Sequence, residues 1–562
     1  MTKKILIVGG VAGGASAAAR LRRLDETAEI ILFEKGPHIS YSSCALPYSL
    51  SDTVPDLPSL ILMTPERFRA QHRIEVRTGS EVTAIDRAAK TVRVAGPDGR
   101  AYDESYDFLV LSPGAEPILP PIPGRDRPHV FTLKDTEDAE AIRQYIAGHH
   151  ARTAAVIGGG FIGVETAANL AASLDVTLAE TADQILTPFD HDMAQILQKE
   201  LLDHGVHLAL HDGAAAIEDG AVRLASGRTV PADLVVMAIG VRPRTALARD
   251  AGLAIGASGA IAVDADGRTS DPAIFAVGDA AEVALPLRRM KGRLSLAFPA
   301  QKEARRAADA ICGRTSPNRG YLGSFGIEVF DLRAAATGLN ERDIEALRIP
   351  HDFAYVIPFA RVSLMPGASP LHLKVHFEVP TGRLLGAQAV GRGTPDRRID
   401  VIAAVIAKGG TLEDLADIDL CYAPPFATAK DAVHLAGLVG LNLLHGEFRQ
   451  VPVSAVRGLV EAGAAILDVR EPGEYAAGHI RGAVNVPLSA LRDRLAGLPK
   501  DRPLYVHCRS GQRSYYACRI LAARGFRDVY NIAGSYLALS LYEYAEDRLT
   551  GREPIVTAYN FR

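Results

Sequence analysis

Two cysteines stand in settings that could do sulfur chemistry. Cys44 lies in Ile39-Ser40-Tyr41-Ser42-Ser43-Cys44-Ala45-Leu46-Pro47-Tyr48, among hydroxyls and ahead of a proline that can open a helix. Cys508 begins Cys508-Arg509-Ser510-Gly511-Gln512-Arg513-Ser514, just after a short apolar run at 504–506. The thiolate is the reactive form of cysteine, and cations, hydroxyls and amides at a helix start all favour it. At Cys44 the expected donors are Ser40, Ser43 and the amides of a helix over 45–49. At Cys508 they are the inward amides of a loop at a helix start, with Arg509 and Arg513 adding positive charge, a design that holds a thiolate or a persulfide. No C-x-x-x-x-C pair includes Cys44. A lone cysteine there can cycle as a mixed disulfide or as a sulfenic acid. Cys312 and Cys518 sit in helical patterns as fillers, Cys421 is a bystander beside Tyr422, and no spacing suits a metal.

Two glycine-rich turns supply a different chemistry. A strand at 5–8 runs into Gly9-Gly10-Val11-Ala12-Gly13-Gly14, then a helical pattern at 15–24 and a strand at 30–33 ending on Glu34. A strand at 154–157 runs into Gly158, Gly160, Phe161, Ile162 and Gly163, then a helix to about 172 and a strand at 176–179 ending on Glu180. A helix N-terminus offers unpaired amides and positive dipole to a pyrophosphate, and the terminal carboxylate accepts from ribose hydroxyls. The first turn departs from G-x-G-x-x-G, because Val11 occupies the middle glycine position. Two such units in one chain predict two Rossmann-like dinucleotide-binding domains.

These sites need several scaffolds. The chain has 562 residues, room for roughly three to five domains. It is 48% hydrophobic and 23% charged, enough apolar side chain to exclude disorder for most of its length. A formal charge of −4 gives no basic surface for nucleic acid or acidic membranes. The most apolar long stretch, 432–446, is too short to span a bilayer, and 5–8 is too short for a signal peptide core. Five cysteines make no disulfide framework, so a reducing cytoplasm is expected. A helical connector at 134–150 leads to the second nucleotide unit. Strands near Val329, Phe377 and 384–390 and helices at 398–408 and 428–444 follow, then a linker at 446–452 and a compact α/β unit.

With Thr269-Ser-Asp-Pro-Ala-Ile-Phe275-Ala-Val-Gly278-Asp279-Ala280, the two nucleotide motifs resemble the pyridine nucleotide–disulfide oxidoreductases over about residues 1–445. The resemblance implies FAD in the first fold and NADH or NADPH in the second. For FAD it implies Gly9, Val11, Ala12, Gly13, Gly14, Glu34, Lys35, Ser43, Val82, Ser112, Gly114, Gly278, Asp279, Ala297 and Pro299. For the nicotinamide it implies Gly158, Gly160, Phe161, Ile162, Gly163, Glu180 and Gly240. The Cys44-Ala-Leu-Pro-Tyr48 ending is similar to the coenzyme A–disulfide reductase subgroup, although Ser43 and Ala45 replace the usual Asn and Gly. That likeness implies coenzyme A bound by Arg20, Arg22, Arg23 and Ser40. Tyr422, in Tyr422-Ala-Pro-Pro-Phe426, resembles the tyrosine that reaches the redox cysteine from the other subunit of a homodimer. The family's second tyrosine is absent, with Leu364-Met365 ahead of Pro366-Gly367-Ala368.

Asp468-Val-Arg470, Gly478-His-Ile-Arg-Gly482 and the Cys508 loop resemble a rhodanese domain over about 450–545. The expected fold class is α/β. Its parts are an FAD-binding domain (1–115 and 245–322), an NAD(P)H-binding domain (116–244), an α+β dimerisation domain (323–445) and, past the linker, a rhodanese domain (453–562). The implied activity is NAD(P)H-driven reduction of coenzyme A disulfide, coenzyme A persulfide or polysulfide through Cys44. The alternatives are an enzyme dominated by sulfur transfer and a peroxidase or oxidase using Cys44 sulfenic acid. The expected partners are small thiols, disulfides and persulfides, with no nucleic acid, membrane or metal.

Overall fold

The computed structural model describes every residue except Met1, Asp52, Ser316 and Arg562. The chain forms two compact units. One holds residues 1–158, 172–175 and 214–323. The other holds 159–171, 176–213 and 324–562.

In the first unit, five parallel strands stand in the order Ile274–Ala276, Phe108–Leu111, Lys4–Val8, Glu29–Phe33 and Glu75–Arg77. Their apolar runs are buried on both faces, as parallel strands require. The helices Ala12–Leu24 and Ala297–Ile311 pack together through Ala15, Ala17, Ala18, Ala304, Ala307 and Ala308, small side chains that let the two axes approach. An antiparallel three-stranded sheet spans Glu81–Asp86, Thr91–Ala95 and Ala101–Ser105. Strand Thr153–Ile157 pairs with Leu234–Met237, which pairs with Val130–Phe131.

In the second unit, helix Phe161–Leu170 precedes strand Asp175–Ala179, which pairs with His207–Ala209. A five-stranded antiparallel sheet follows in the order Phe325–Val329, Leu332–Gly338, Leu384–Gly391, Leu371–Glu378, His351–Val356. It carries a buried ion cluster: Lys374 Nζ lies 3.0 Å from Asp190, 3.0 Å from Asp192 and 3.4 Å from Glu341. Burial alone would depress this lysine, but the carboxylates outweigh it and raise its pKa. His376 Nε2 meets Asp190 at 2.7 Å. The cluster ties helix His191–Asp203 to the sheet.

The C-terminal part is a parallel sheet in the order Arg449–Val451, Val529–Ile532, Leu504–His507, Ala465–Asp468, Val484–Asn485. This corrects the reading of 446–452 as a linker. Residues Arg449–Val451 are the edge strand of that sheet, in register with Tyr530–Ile532. Gln450 Nε2 also donates to Asp352 Oδ1 (2.9 Å) and to the carbonyl of Phe353 (2.7 Å). Polar composition suggests a loop, yet an edge strand is where a polar strand can sit.

Candidate active site

Both glycine turns are built alike. Gly9 takes φ +96°, and a Cβ there would lie 2.1 Å from the carbonyl oxygen of Ser112. Gly158 takes φ +112°, and a Cβ would lie 2.4 Å from that of Ala238. In each unit the first glycine thus lets the turn press onto the end of a neighbouring strand. Gly14 is equally constrained, since a Cβ would fall 1.7 Å from the carbonyl oxygen of Gly9. Val11 is tolerated because it is the N-cap of helix Ala12–Leu24 with φ −94°, outside the left-handed region that demands glycine. Gly160 caps Phe161–Leu170 with φ −76° in the same way.

The two terminal carboxylates do more than the sequence reading assigned them. Glu34 accepts the amides of Gly10 (2.7 Å) and Gly36 (2.9 Å). Glu180 accepts the amides of Gly159 (2.5 Å) and Ala182 (2.9 Å) and the hydroxyl of Thr181. Each glutamate therefore braces the glycine turn beside it. The cradle at 9–14, with its open helix start and a carboxylate at the next strand end, fits a dinucleotide.

Around it lie Ser112, whose amide donates to the carbonyl of Val8, and Gly114 at φ +71°. Gly278, at φ +74°, donates its amide to Glu303, and Asp279 pairs with Lys134 at 3.5 Å. Ala297 and Pro299 form the first turn of helix Ala297–Ile311, Lys35 is exposed and Val82 is buried. In the nicotinamide set, Phe161 and Ile162 open their helix, Gly163 is buried within it, and Gly240 takes φ +113°.

Cys44 is exposed and sits inside a 3₁₀ turn, Ser43–Ala45, followed by a second, Pro47–Leu50. The expected helix over 45–49 is absent. Pro47 has no N–H to donate to the carbonyl of Ser43, so that carbonyl takes the Leu46 amide instead and the turn tightens. Ser40 adopts φ +48° and joins this segment to the cradle: its amide donates to the carbonyl of Gly10 (2.9 Å). Arg143 braces the far side through the carbonyls of Ser49 (2.9 Å) and Pro55 (3.2 Å).

The three arginines near the first helix end differ. Arg22 is 7% exposed and donates to the carbonyls of His72, Asp25, Glu26 and Arg73. That is an internal clasp, and it corrects the expectation of a ligand-facing cation at this position. Arg20 pairs with Asp309 at 2.6 Å, and Arg23 is exposed. Arg22→Ala strands those carbonyls, so it should cost about 2–4 kcal/mol of stability in urea unfolding. An unchanged unfolding midpoint with a raised KM for coenzyme A substrates would return Arg22 to the ligand set.

Cys508 is buried at the end of strand Leu504–His507. Its Sγ accepts the Gly511 amide at 3.2 Å, with the hydroxyls of Ser514 at 3.5 Å and Ser535 at 3.9 Å. Gly511, at φ +106°, turns that amide inward at the N-cap of helix Gln512–Ala523. Arg513 is held by Glu474 through two bonds of 2.6 and 2.7 Å, and Arg509 is half-buried. Sequence reading missed Ser535. Its hydroxyl takes the Cys508 amide at 3.2 Å, and the Gly534-Ser535 pair after a strand was the available signal. Burial pushes the Cys518 thiol up to about 12, as befits a filler.

Tyr422 is exposed, as are Phe426, Leu364 and Phe359 in the same unit. Among the described residues no cluster suits a metal ion and no helix is long and apolar enough to cross a membrane.

Comparison with known proteins agrees with this geometry. Residues 3–304 match the pyridine nucleotide-disulphide oxidoreductase model, 325–433 its dimerisation domain and 453–541 the rhodanese-like domain. A coenzyme A disulfide reductase of Staphylococcus epidermidis is 32% identical over 440 residues, covering 77% of this chain and 99% of the relative. The crystal structure of reduced Bacillus anthracis CoADR-RHD superposes with a TM-score of 0.93 at 41% identity, covering 96% of this chain and 98% of that one. The NAD-dependent persulfide reductase of A. fulgidus gives 0.91 at 34%, covering 95% and 99%. With its two glycine cradles, its dimerisation sheet and its cysteine loop, the chain belongs to the pyridine nucleotide-disulphide oxidoreductase family and carries a rhodanese domain at its C-terminal end.

Proposed function

We propose that the chain is a homodimeric, FAD-dependent reductase that uses NADH to reduce coenzyme A disulfide, coenzyme A persulfide or polysulfide through Cys44. Its rhodanese loop handles persulfide sulfur at Cys508. The names of the Staphylococcus, Bacillus and A. fulgidus proteins support this substrate class. The observation that carries it is the Ser40–Gly10 bond, which fixes an exposed cysteine segment to a dinucleotide cradle.

Residues 9–14, Glu34, Ser112 and the Gly278-Asp279 turn would hold FAD, which supplies the two-electron link between nicotinamide and sulfur. The Cys44 thiolate attacks a disulfide sulfur, the S–S bond breaks, and the electron pair leaves on the departing thiol. Two-electron reduction of the mixed disulfide then frees the second thiol and restores the thiolate. Arg20, Arg23 and Ser40 are proposed for coenzyme A. Tyr422, among exposed apolar side chains that suit an interface, is proposed to reach Cys44 of the partner subunit. Steady-state rates on coenzyme A disulfide and coenzyme A persulfide, with each nicotinamide, test the reading. Turnover only with oxygen or peroxide would replace it with the sulfenic acid alternative.

Glu180 supports NADH. A carboxylate at that strand end accepts ribose hydroxyls and repels a 2′-phosphate. Glu180→Ala should lower the NADH-to-NADPH ratio of kcat/KM at least about tenfold, since losing one such discriminating contact is worth 1.4 kcal/mol or more. An unchanged ratio would remove Glu180 from the choice of nicotinamide.

A further inference from the structure

The dimerisation sheet meets the turn that backs the Cys508 loop. Tyr355, on strand His351–Val356, and His372, on strand Leu371–Glu378, are both buried, and the tyrosine hydroxyl meets His372 Nδ1 at 2.8 Å. The Tyr355 ring rests against Gly534, where a Cβ would lie 2.8 Å from its Cε1 and 3.0 Å from its Cδ1. Gly534 takes φ +70° and Ser535 follows at φ +53°, two left-handed residues in succession at the start of helix Ser535–Thr550. Glycine enters that region freely, but a serine holds it only where its surroundings enforce it. This helix start also grips the cysteine loop: the amides of Tyr536 and Leu537 donate to the carbonyls of Cys508 (3.1 Å) and Arg509 (2.9 Å). The buried Ser535 hydroxyl takes the Cys508 amide at 3.2 Å. For its own proton it has Cys508 Sγ at 3.9 Å, Ser514 Oγ at 3.3 Å and the carbonyl of Ile532 at 3.3 Å.

We infer that the dimerisation sheet completes the Cys508 site: Tyr355 is a positioning residue whose ring, set against Gly534, holds Ser535 in its left-handed turn with its hydroxyl on Cys508. The inference rests on the reading of Cys508 as the thiol that carries sulfur. A negative sulfur draws the Ser535 proton toward itself, because a hydrogen bond to a charged acceptor is stronger than one to a carbonyl. The pair behind the turn is uncharged. Burial, with the Arg509 cation adding, pushes His372 down to about 3, and burial holds the Tyr355 phenol well above its ordinary value. Around the sulfur, Arg509 and Arg513 stay cationic and Glu474 is bound to Arg513. Burial lowers His507, which stands beside Asp468, and pushes Cys518 up to about 12. None of these groups changes its charge between pH 7 and 9.5, so the pH response of the loop in that window follows the Cys508 thiol.

Alkylation of Cys508 by iodoacetamide in the holoenzyme, followed on its own peptide by mass spectrometry, tests this. The quantity read is the rate at pH 7 divided by the rate at pH 9.5, which cancels differences in access. Ser535→Ala and Tyr355→Leu should each lower that ratio about tenfold, the worth of one hydrogen bond to a charged group. Tyr355→Phe keeps the ring on Gly534 and should keep the parent ratio. A ratio left unchanged by Tyr355→Leu, or lowered as far by Tyr355→Phe, overturns the proposal, because the ring contact then holds nothing. Should Tyr355→Leu fail to fold, Ser535→Ala still decides, since an unaltered ratio there leaves the turn no donor to position. The reading of Cys508 fails separately: sulfide release from thiosulfate that survives Cys508→Ser would strike sulfur transfer at this loop and leave the alkylation ratios standing.

Discussion

Cys44→Ser protein should purify with its flavin and bind NADH as the parent does, yet reduce coenzyme A disulfide at least about a thousandfold more slowly. Removing a nucleophile typically costs that much or more. The dinucleotide cradles stand on other residues: the Gly9 and Gly158 turns are set by strand contacts and by Glu34 and Glu180, none of which involves the thiol. A serine also keeps the 3₁₀ turn, because that turn is closed by backbone bonds of Ala45 and Leu46. The readouts are the visible flavin spectrum, NADH binding and steady-state turnover. Retention of more than about 1% of the parent rate would remove Cys44 as the redox centre.

Cys508→Ser should give a split result. Reduction of coenzyme A disulfide should survive nearly intact, because Cys44 and the nucleotide cradles suffice for it. Sulfide release from thiosulfate should fall by at least about a hundredfold, since the Cys508 loop offers the amide and hydroxyl donors that would hold a loaded sulfur. In the loading step the thiolate attacks the outer sulfur of thiosulfate, the S–S bond breaks, and the electron pair leaves with sulfite. A thiol acceptor later takes the outer sulfur and returns the thiolate. Equal activity of variant and parent on every donor would show the rhodanese unit to be a passenger.

Much of this was legible in the sequence because it rests on local rules. Glycine turns between apolar strands and helices, and a cysteine at the start of a helix, are signals spanning ten residues or so. What stayed hidden was the business of side chains that meet across long separations. Arg22 reads as one of three surface cations, but the carbonyls of His72 and Arg73 claim it. Glu34 and Glu180 read as ribose ligands, and their bonds to turn amides depend on how each strand returns beside its glycines. Ser535 reaches Cys508 only because two strands are neighbours. The helix expected after Cys44 failed on one missing donor at Pro47, an effect visible in sequence but outweighed there by the habit of proline at helix starts.

The docking of the C-terminal sheet has a practical consequence for anyone dissecting the protein. Gln450 holds the backbone of Phe353, Tyr355 packs on Gly534, and Tyr542, Tyr544 and Phe561 cover His191 and Lys199. Cutting the chain near Gly446 would therefore leave a bare edge on the dimerisation sheet and uncover His191 and Lys199 on helix His191–Asp203, the helix that follows the Glu180 strand. Any loss of NADH chemistry in such a fragment would report a wounded surface rather than a missing sulfurtransferase. The two activities are separable by a single atom at residue 508, and not by a pair of scissors.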